Sequence, residues 1–365
     1  MLLPSIVKFA NGNEDAIKTY EKFRDYYFHY MSEVENKKYG AYDQSVSLED
    51  KEKAMNACLM SEIERVSGAK RGDMSIEMYA QNPMVRFAYD AIIATMIDAI
   101  LPETIVKQAG IWSEVKTVGY GENAHFTIEP NSIYTISESS DAKRFSFNKK
   151  EFAIDYSMGA VNHQITVSAE MYKVLAGVES LARFVRKAVV SMETQMGVDA
   201  YRALATLVAN ANFPTQLKVA GYDVDKMIGL CQTVQAYNGG AKPTIIGTKR
   251  ALYKMLPDSA KGYRMVTDAE NPKVNIIRGF FDWDIIELDQ VATGKEDYSM
   301  VLDDTKLYIV STGADKLIKG VIEGGATSYT DAPHDNADLS QRTTLTKRYS
   351  FDAVGNAVMG VVDLA

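Results

Sequence analysis

Two pairs of neighbouring carboxylates, Asp282/Asp284 and Asp303/Asp304, are the residues of this chain best suited by type to acid–base work. Such chemistry needs two groups held in different protonation states within reach of one proton. Asp282 and Asp284 straddle Trp283, so they share a face if the segment is a strand. A chain with 48 Asp and Glu residues produces such pairs by number alone, and no distant partner singles either pair out. The four histidines, His29, His125, His163 and His334, stand apart from one another and from both cysteines, so none has metal-ligand spacing. His163 lies in an alternating strand pattern and reads as structural. His334 sits among Asp331, Asp335 and Asp338, without the twelve-residue calcium loop and its closing Glu. Gly119-Tyr-Gly121-Glu-Asn-Ala124 matches a dinucleotide fingerprint, which works only where a helix begins. The residues that follow, His125 to Pro130, are strand-like, so a turn is expected. Thr244 to Lys249 leads from strand to helix without phosphate-loop spacing, and Thr248 is expected to cap that helix. No G-x-S-x-G is present. No active site, cofactor site or metal site is expected.

The elements that would carry any function come from a chain of 365 residues, 46% apolar and 24% charged. That composition excludes a wholly disordered, collagen-like or disulfide-scaffold protein. The formal net charge of −8 excludes nucleic-acid binding by bulk charge, which needs cations that release counterions from phosphates. Cys58 and Cys231 lie in helix-like patterns with no CxxC, as expected for buried thiols in a reducing compartment. The longest apolar stretch, Ala91 to Leu101, contains Asp98 and falls short of the roughly 20 residues of a bilayer span. Met1-Leu-Leu-Pro lacks a leader's basic and apolar regions. A soluble, intracellular protein without a membrane partner is expected.

Residues 1–110 read as helical. Ile17, Tyr20, Phe23, Tyr27, Met31 and Val34 recur on one face, and Met55, Leu59, Ile63 and Val66 form a second stripe. Ser47 is the expected cap of the second helix. Pro83 is expected in the first turn of another, with Pro102 just past its end. The pattern then changes to period two. Phe152, Ile154, Tyr156 and Met158 alternate with polar residues, as do Val161, His163, Ile165 and Val167. Residues 111–167 therefore read as one long β-hairpin with a polar tip at 137–144. An isolated hairpin is marginal in water and should lean on something, a neighbouring subunit included.

From Ser168 to Asn212 there is no proline, and a long helix is expected, with Gly197 a candidate break. Met171, Leu175, Val178, Ala182, Val185, Val189, Met192 and Met196 follow a heptad-like four-three alternation that fails at Asp199. A helix packed on the chain's own sheet is preferred to a coiled coil. After Pro214 come a helix over Val224–Tyr237 and a strand–helix unit at Thr244–Leu256. Strands follow near Asn275–Ile277, Trp283–Leu288 and Lys306–Val310, and a closing strand pair at Arg348–Asp363 turns at Val354-Gly-Asn356.

This order of elements resembles the major capsid protein of tailed bacteriophages, the Hong Kong 97-type capsid fold. The resemblance implies an α+β chain with an N-terminal helical arm at 1–110 and an E-loop hairpin at 111–167. A peripheral domain with its spine helix would span 168–218, an axial domain 219–312, and a return to the peripheral domain 313–365. It further implies a structural, non-enzymatic protein without cofactors that assembles as pentamers and hexamers into an icosahedral head around double-stranded DNA. Partners would be copies of itself, with scaffolding, portal and decoration proteins. Its place would be the virion, after assembly in the host cytoplasm. A chain that starts at Met1 suggests a separate scaffold or none. The expected interface residues are Tyr20, Tyr27 and Phe28 on the aromatic first helix, and Phe145, Phe147, Lys149 and Phe152 near the hairpin. Some relatives cross-link a hairpin lysine to a neighbour's asparagine. Lys143, Lys149, Lys150 and Asn356 are the matching residue types, without a sign of the desolvated geometry such a bond needs.

Three rivals make different expectations. An encapsulin-type nanocompartment would share the fold and enclose protein instead of DNA. A cytosolic enzyme would use Asp282/Asp284 or Asp303/Asp304. A helical adaptor would use the 168–212 helix as a coiled coil.

Overall fold

The computed structural model describes residues 14–110, 112–128, 153–167, 171–255, 279–280, 282–292, 298–311, 315–331 and 342–364. The N-terminal part is helical, as its periodicity requires. Helix α1 (Glu14–Glu33) precedes α2 (Leu48–Ser67). The Ser47 hydroxyl accepts the Asp50 N–H at the start of α2, and left-handed Gly68 closes it. Short α3 (Ile76–Gln81) leads to α4 (Pro83–Ala109), which Asn82 caps and Pro83 opens.

Pro102 does not end α4 but lies inside it. The interior proline removes one backbone bond. The flanking Leu101 and Ile105 are fully buried, so packing on both sides of the proline holds the helix together.

Strands β1 (Ser113–Val118), β2 (Ala124–Ile128), β3 (Ile154–Met158) and β4 (Val161–Val167) follow. They do not form one continuous hairpin. Among the described residues of these four strands, only β2 and β3 pair with each other, antiparallel, from Ala124 opposite Met158 to Ile128 opposite Ile154. The β2–β3 pair leans on its own chain, with Ala124, Phe126 and Met158 packed against Val321. β1 and β4 belong instead to a larger sheet.

The expected 168–212 helix is broken, but not at Gly197. Short α5 (Met171–Leu175) stops at Gly177, whose φ is +79°. Helix α6 (Leu181–Ala209) then runs unbroken through Gly197 for 29 residues, about 43 Å. The heptad seam is covered by the chain's own core. Met171, Leu175, Ala182, Val185, Val189, Met192 and Met196 are buried, while Val178, where α5 and α6 part, is 77% exposed. With that seam already covered, nothing is left for a coiled-coil partner.

The remaining elements are β5 (Lys218–Ala220), α7 (Val224–Tyr237), β6 (Pro243–Thr248), α8 (Lys249–Tyr253), β7 (Gly279–Phe280), β8 (Trp283–Leu288), β9 (Lys306–Ser311), β10 (Ile318–Glu323), β11 (Thr327–Thr330), β12 (Thr343–Ala353) and β13 (Gly360–Asp363). In the first sheet, eleven-residue β12 is central. It pairs antiparallel with β4 along one side and with β10 and β11 along the other, and β1 adds parallel to β10. The second sheet has the order β5-β13-β9-β6-β8-β7, with β13/β5 and β6/β8 parallel. The closing strands are therefore not a hairpin, since β12 and β13 lie in different sheets.

Three large clusters fill the interior. α1, α2, α4 and the first half of α6 form one core with Ile322, Leu345 and Tyr349 of the first sheet. The second half of α6 packs with Trp112, Ile246, Tyr308 and Val310 on one face of the second sheet. α7 and α8 cover the other face through Met227, Leu230, Cys231 and Leu252 against Ile245, Leu307, Ile309 and Val362. The result is an α+β chain in which one long helix serves two sheets.

Candidate functional site

The structure places the expected interface residues in two groups. Tyr20, Tyr27 and Phe28 are 5, 0 and 1% exposed, so they are core side chains of this chain and not a free surface. The aromatic face of α1 is wide, and α2, α4 and α6 together cover it. Phe145, Phe147, Lys149 and Phe152 lie outside the described residues, as do Lys143, Lys150, His334, Asp335 and Asp338.

The carboxylate pairs do not converge on a reacting centre. Exposed Asp282 takes a salt bridge from Lys242 at 2.8 Å. Asp303 is a turn former: its Oδ1 accepts the Thr305 N–H and hydroxyl at 2.9 and 2.6 Å. Burial pushes its carboxyl up, but the Thr305 bonds and Lys306 outweigh this and hold it below the usual value. Asp304 accepts from Thr248 Oγ1 and Gln290 Nε2, both at 2.6 Å. Thr248 in turn caps α8 through the Ala251 N–H, as expected from its position between strand and helix. Gly119–Asn123 is the turn between β1 and β2, with Gly121 at φ +78° and a strand, not a helix, behind it. His163 stacks on Tyr349 with ring centroids 3.9 Å apart. Among the described residues, no group of three or more His, Cys, Asp or Glu side chains is arranged to hold a metal ion. No helix among them is long and apolar enough to cross a membrane.

What the sequence does not reveal is a set of charged groups buried between layers. Lys347 on β12 is 1% exposed and donates to Asp98 of α4, which also accepts the Gly325 N–H. Lys319 on β10 is wholly buried; it donates to Glu114 of β1 at 2.7 Å and to Asp315. Asp90 of α4 accepts from Ser328 Oγ, Thr330 Oγ1 and the Thr330 N–H of β11. Burial raises its carboxyl above the ordinary aspartate value despite those bonds. In the helical core, Glu193 of α6 accepts the hydroxyls of Tyr27, at 2.7 Å, and Tyr39. Burial, and then the Glu193 charge, push both phenols well above the usual tyrosine value. Arg186 donates to Tyr26 Oη at 2.5 Å and lies 3.9 Å from the centre of the Tyr30 ring. A buried charge persists only where it is paired and hydrogen-bonded. Lys347 and Asp90 therefore fix α4 against the first sheet, Lys319 ties β10 to β1 within it, and Glu193 and Arg186 hold α6 in the helical core. The one hint in the sequence was Asp98, a lone charge in the most apolar stretch.

The recesses among the described residues include three. One of about 530 Å³ lies between α6 and the β4–β12 pair, lined by Val161, His163, Asp199, Arg202 and Tyr349 among others. One of about 290 Å³ lies where Lys37, Lys38 and Lys107 face Glu287 and Asp289 across α6. The third, about 480 Å³, is bounded by Lys249, Arg250, Glu287 and Asp304. There Lys249 pairs with Glu287 at 2.9 Å and Arg250 with Asp304 at 3.8 Å, so these carboxylates answer cations.

The chain is a capsid-class protein. It belongs to the family described as "SPbeta prophage-derived putative capsid protein YonB", whose model matches residues 31–363. No curated protein matches the chain. Similar solved structures include the mature capsid of bacteriophage PhiM1, 12% identical, with 69% of this chain and 85% of that chain covered and a TM-score of 0.45. A virus-like particle from Pyrococcus furiosus is 9% identical over 73% and 97%, with a TM-score of 0.45. A phage-related protein from Bordetella bronchiseptica RB50 is 16% identical over 76% and 97%, with a TM-score of 0.46.

Proposed function

We propose that this chain is the structural shell subunit of a tailed-bacteriophage head, assembling as pentamers and hexamers into an icosahedral container for double-stranded DNA. The observation that carries the proposal is the capsid-family match from residue 31 to residue 363, which spans both sheets and the long helix. In this reading 1–110 is the helical arm, 111–167 the E-loop with β2 and β3 at its base, and 168–218 the spine-helix segment. The axial domain is 219–312, and 313–365 returns to the peripheral domain. Phe145, Phe147, Lys149 and Phe152 are the subunit-contact candidates. The net charge of −8 suits a wall that holds DNA without gripping it. Scaffolding, portal and decoration proteins are the further partners, assembly occurs in the host cytoplasm, and the finished location is the virion. The chain performs no catalysis and needs no cofactor.

The test is particle size by light scattering and negative-stain microscopy of the purified chain, with and without a co-expressed scaffold candidate. Closed shells, or rings of five or six subunits, are expected. Nuclease-protected DNA in particles from infected or induced cells is expected as well. A stable monomer or dimer under every condition refutes the shell. Shells filled with a cargo protein instead of DNA refute the phage-head reading and establish a nanocompartment.

A further inference from the structure

Among the described residues, the first sheet ends on one side in a strand that lacks the usual protection of an edge. β4 hydrogen-bonds to β12 from Val161 opposite Tyr349 to Val167 opposite Thr343. Among the described residues nothing pairs with its other side. Its sequence is Val-Asn-His-Gln-Ile-Thr-Val, with no Lys, Arg, Asp, Glu or Pro, and its side chains are exposed or half-buried throughout. Natural sheets blunt a free edge with charge, proline, brevity or a covering element, because unpaired N–H and C=O groups template another strand.

The other edges here show those devices. β1 carries Glu114 and Lys116. β11 is four residues long and tied to Asp90 of α4. β5 has three residues, one of them Lys218, and β7 has two. The hairpin strand β3 carries Asp155, and Lys116 Nζ donates to the His125 carbonyl on β2.

We propose that β4 is an interface between copies of this chain, in which it pairs antiparallel with the β4 of a second copy across a two-fold axis. The strand is self-complementary about Gln164. That register sets Val161 opposite Val167, Asn162 opposite Thr166, His163 opposite Ile165 and Gln164 opposite its own copy. No like charges meet, and each facing pair lies on one face of the combined sheet. Such a contact is isologous, the type a two-fold axis requires. Seven residues a side bury less than the roughly 1,200 Å² of a stable free complex. The pairing therefore adds to other contacts in an assembly and is weak alone. It rests on the shell reading for that context.

The experiment uses the full chain carrying Gln164→Cys, mildly oxidised and run on a non-reducing gel. It is done both on assembled particles and on concentrated unassembled protein. Facing residues in an antiparallel pair are about 4.5–5.5 Å apart at Cα, within disulfide reach. A dimer band is expected from Gln164→Cys. None is expected from the unmodified chain, nor from Thr166→Cys, whose copies would lie roughly 13 Å apart. Gln164→Lys and Gln164→Glu are each expected to weaken pairing about fivefold, and an equal mixture of the two to restore it. No dimer at 164 in either preparation overturns the inference, as does equal cross-linking at 166. Charge variants that weaken assembly without rescue on mixing also overturn it, since a different strand would then occupy the edge. Absence of shells from the unmodified chain counts against the shell reading instead, and the cross-link in concentrated protein still decides the pairing.

Discussion

Breaking the Asp98–Lys347 pair from either side should cost different amounts, and the order follows from burial. Lys347 is 1% exposed and Asp98 15%. Asp98→Asn leaves an ammonium with almost no water opposite a neutral amide. Stranding a buried charge costs about 3–5 kcal/mol. Lys347→Met removes the more buried charge and leaves a carboxylate that reaches some solvent and keeps the Gly325 N–H at 3.2 Å. Losing a charged hydrogen bond of that kind costs about 1.5–3 kcal/mol. The double variant strands no charge, so its cost should fall below the sum of the single costs by at least about 1.5 kcal/mol. For a chain of this length, 4 kcal/mol corresponds to a fall of about 5 °C in Tm. The assay is calorimetry of the unassembled chain and the three variants at neutral pH and moderate salt. Strict additivity, or Lys347→Met costing more than Asp98→Asn, would refute the claim that a stranded charge sets the cost.

Three further outcomes are expected. Burial pushes the Glu103 carboxyl up, but the two-pronged bond from Arg24, at 2.9 and 2.6 Å, and the Lys107 bond outweigh it and hold the group below the usual value. A lowered folded value means stability that is present above the unfolded value and lost as pH falls through the folded one. Glu103→Gln should therefore flatten the acid limb of a stability–pH curve below about pH 4.5, where the unmodified chain loses stability. Gly360→Ala should destabilise by about 1–3 kcal/mol in denaturant titration, because an added Cβ would meet three Leu230 side-chain carbons at 2.8–3.0 Å. Burial pushes the Cys231 thiol up to about 12. Mass spectrometry after maleimide treatment at pH 8 should find Cys231 unmodified in the folded chain and modified once it is unfolded.

The features legible in the sequence were those that local chemistry decides. Ser47, Pro83 and Thr248 mark helix starts because a cap needs only the next few residues. The turn at Gly119–Asn123 was legible because a strand pattern follows it. Long-range pairing was not legible. β1 pairs with β10 about 200 residues later, and nothing in Ser-Glu-Val-Lys-Thr-Val names that partner over a continuation of the hairpin. The burial of Lys319 and Lys347 was not legible either, because burial of a lysine depends on a carboxylate from another element. The aromatic α1 face was read as partly free because large rings at many angles suit an interface as well as a core. Only the placement of α2, α4 and α6 around it decides between the two.

The failure of the heptad pattern at Asp199 has a physical meaning that a coiled-coil comparison hides. Up to Met196 the apolar residues of α6 face the helical core and the first sheet; from Ala200 to Val208 they face the second sheet. Between them Gly197 offers no side chain, and Asp199 spends its carboxylate on Tyr349 Oη of β12, at 3.1 Å. Two residues on, the Tyr201 hydroxyl accepts the Asp303 N–H and lies 3.3 Å from Tyr308 Oη, within the second sheet's territory. The stripe breaks because the helix changes partner there, not because the helix ends. Both sheets are thus anchored to one continuous rod, and neither can shear against the other without bending α6 or breaking the Asp199–Tyr349 and Tyr201–Tyr308 contacts.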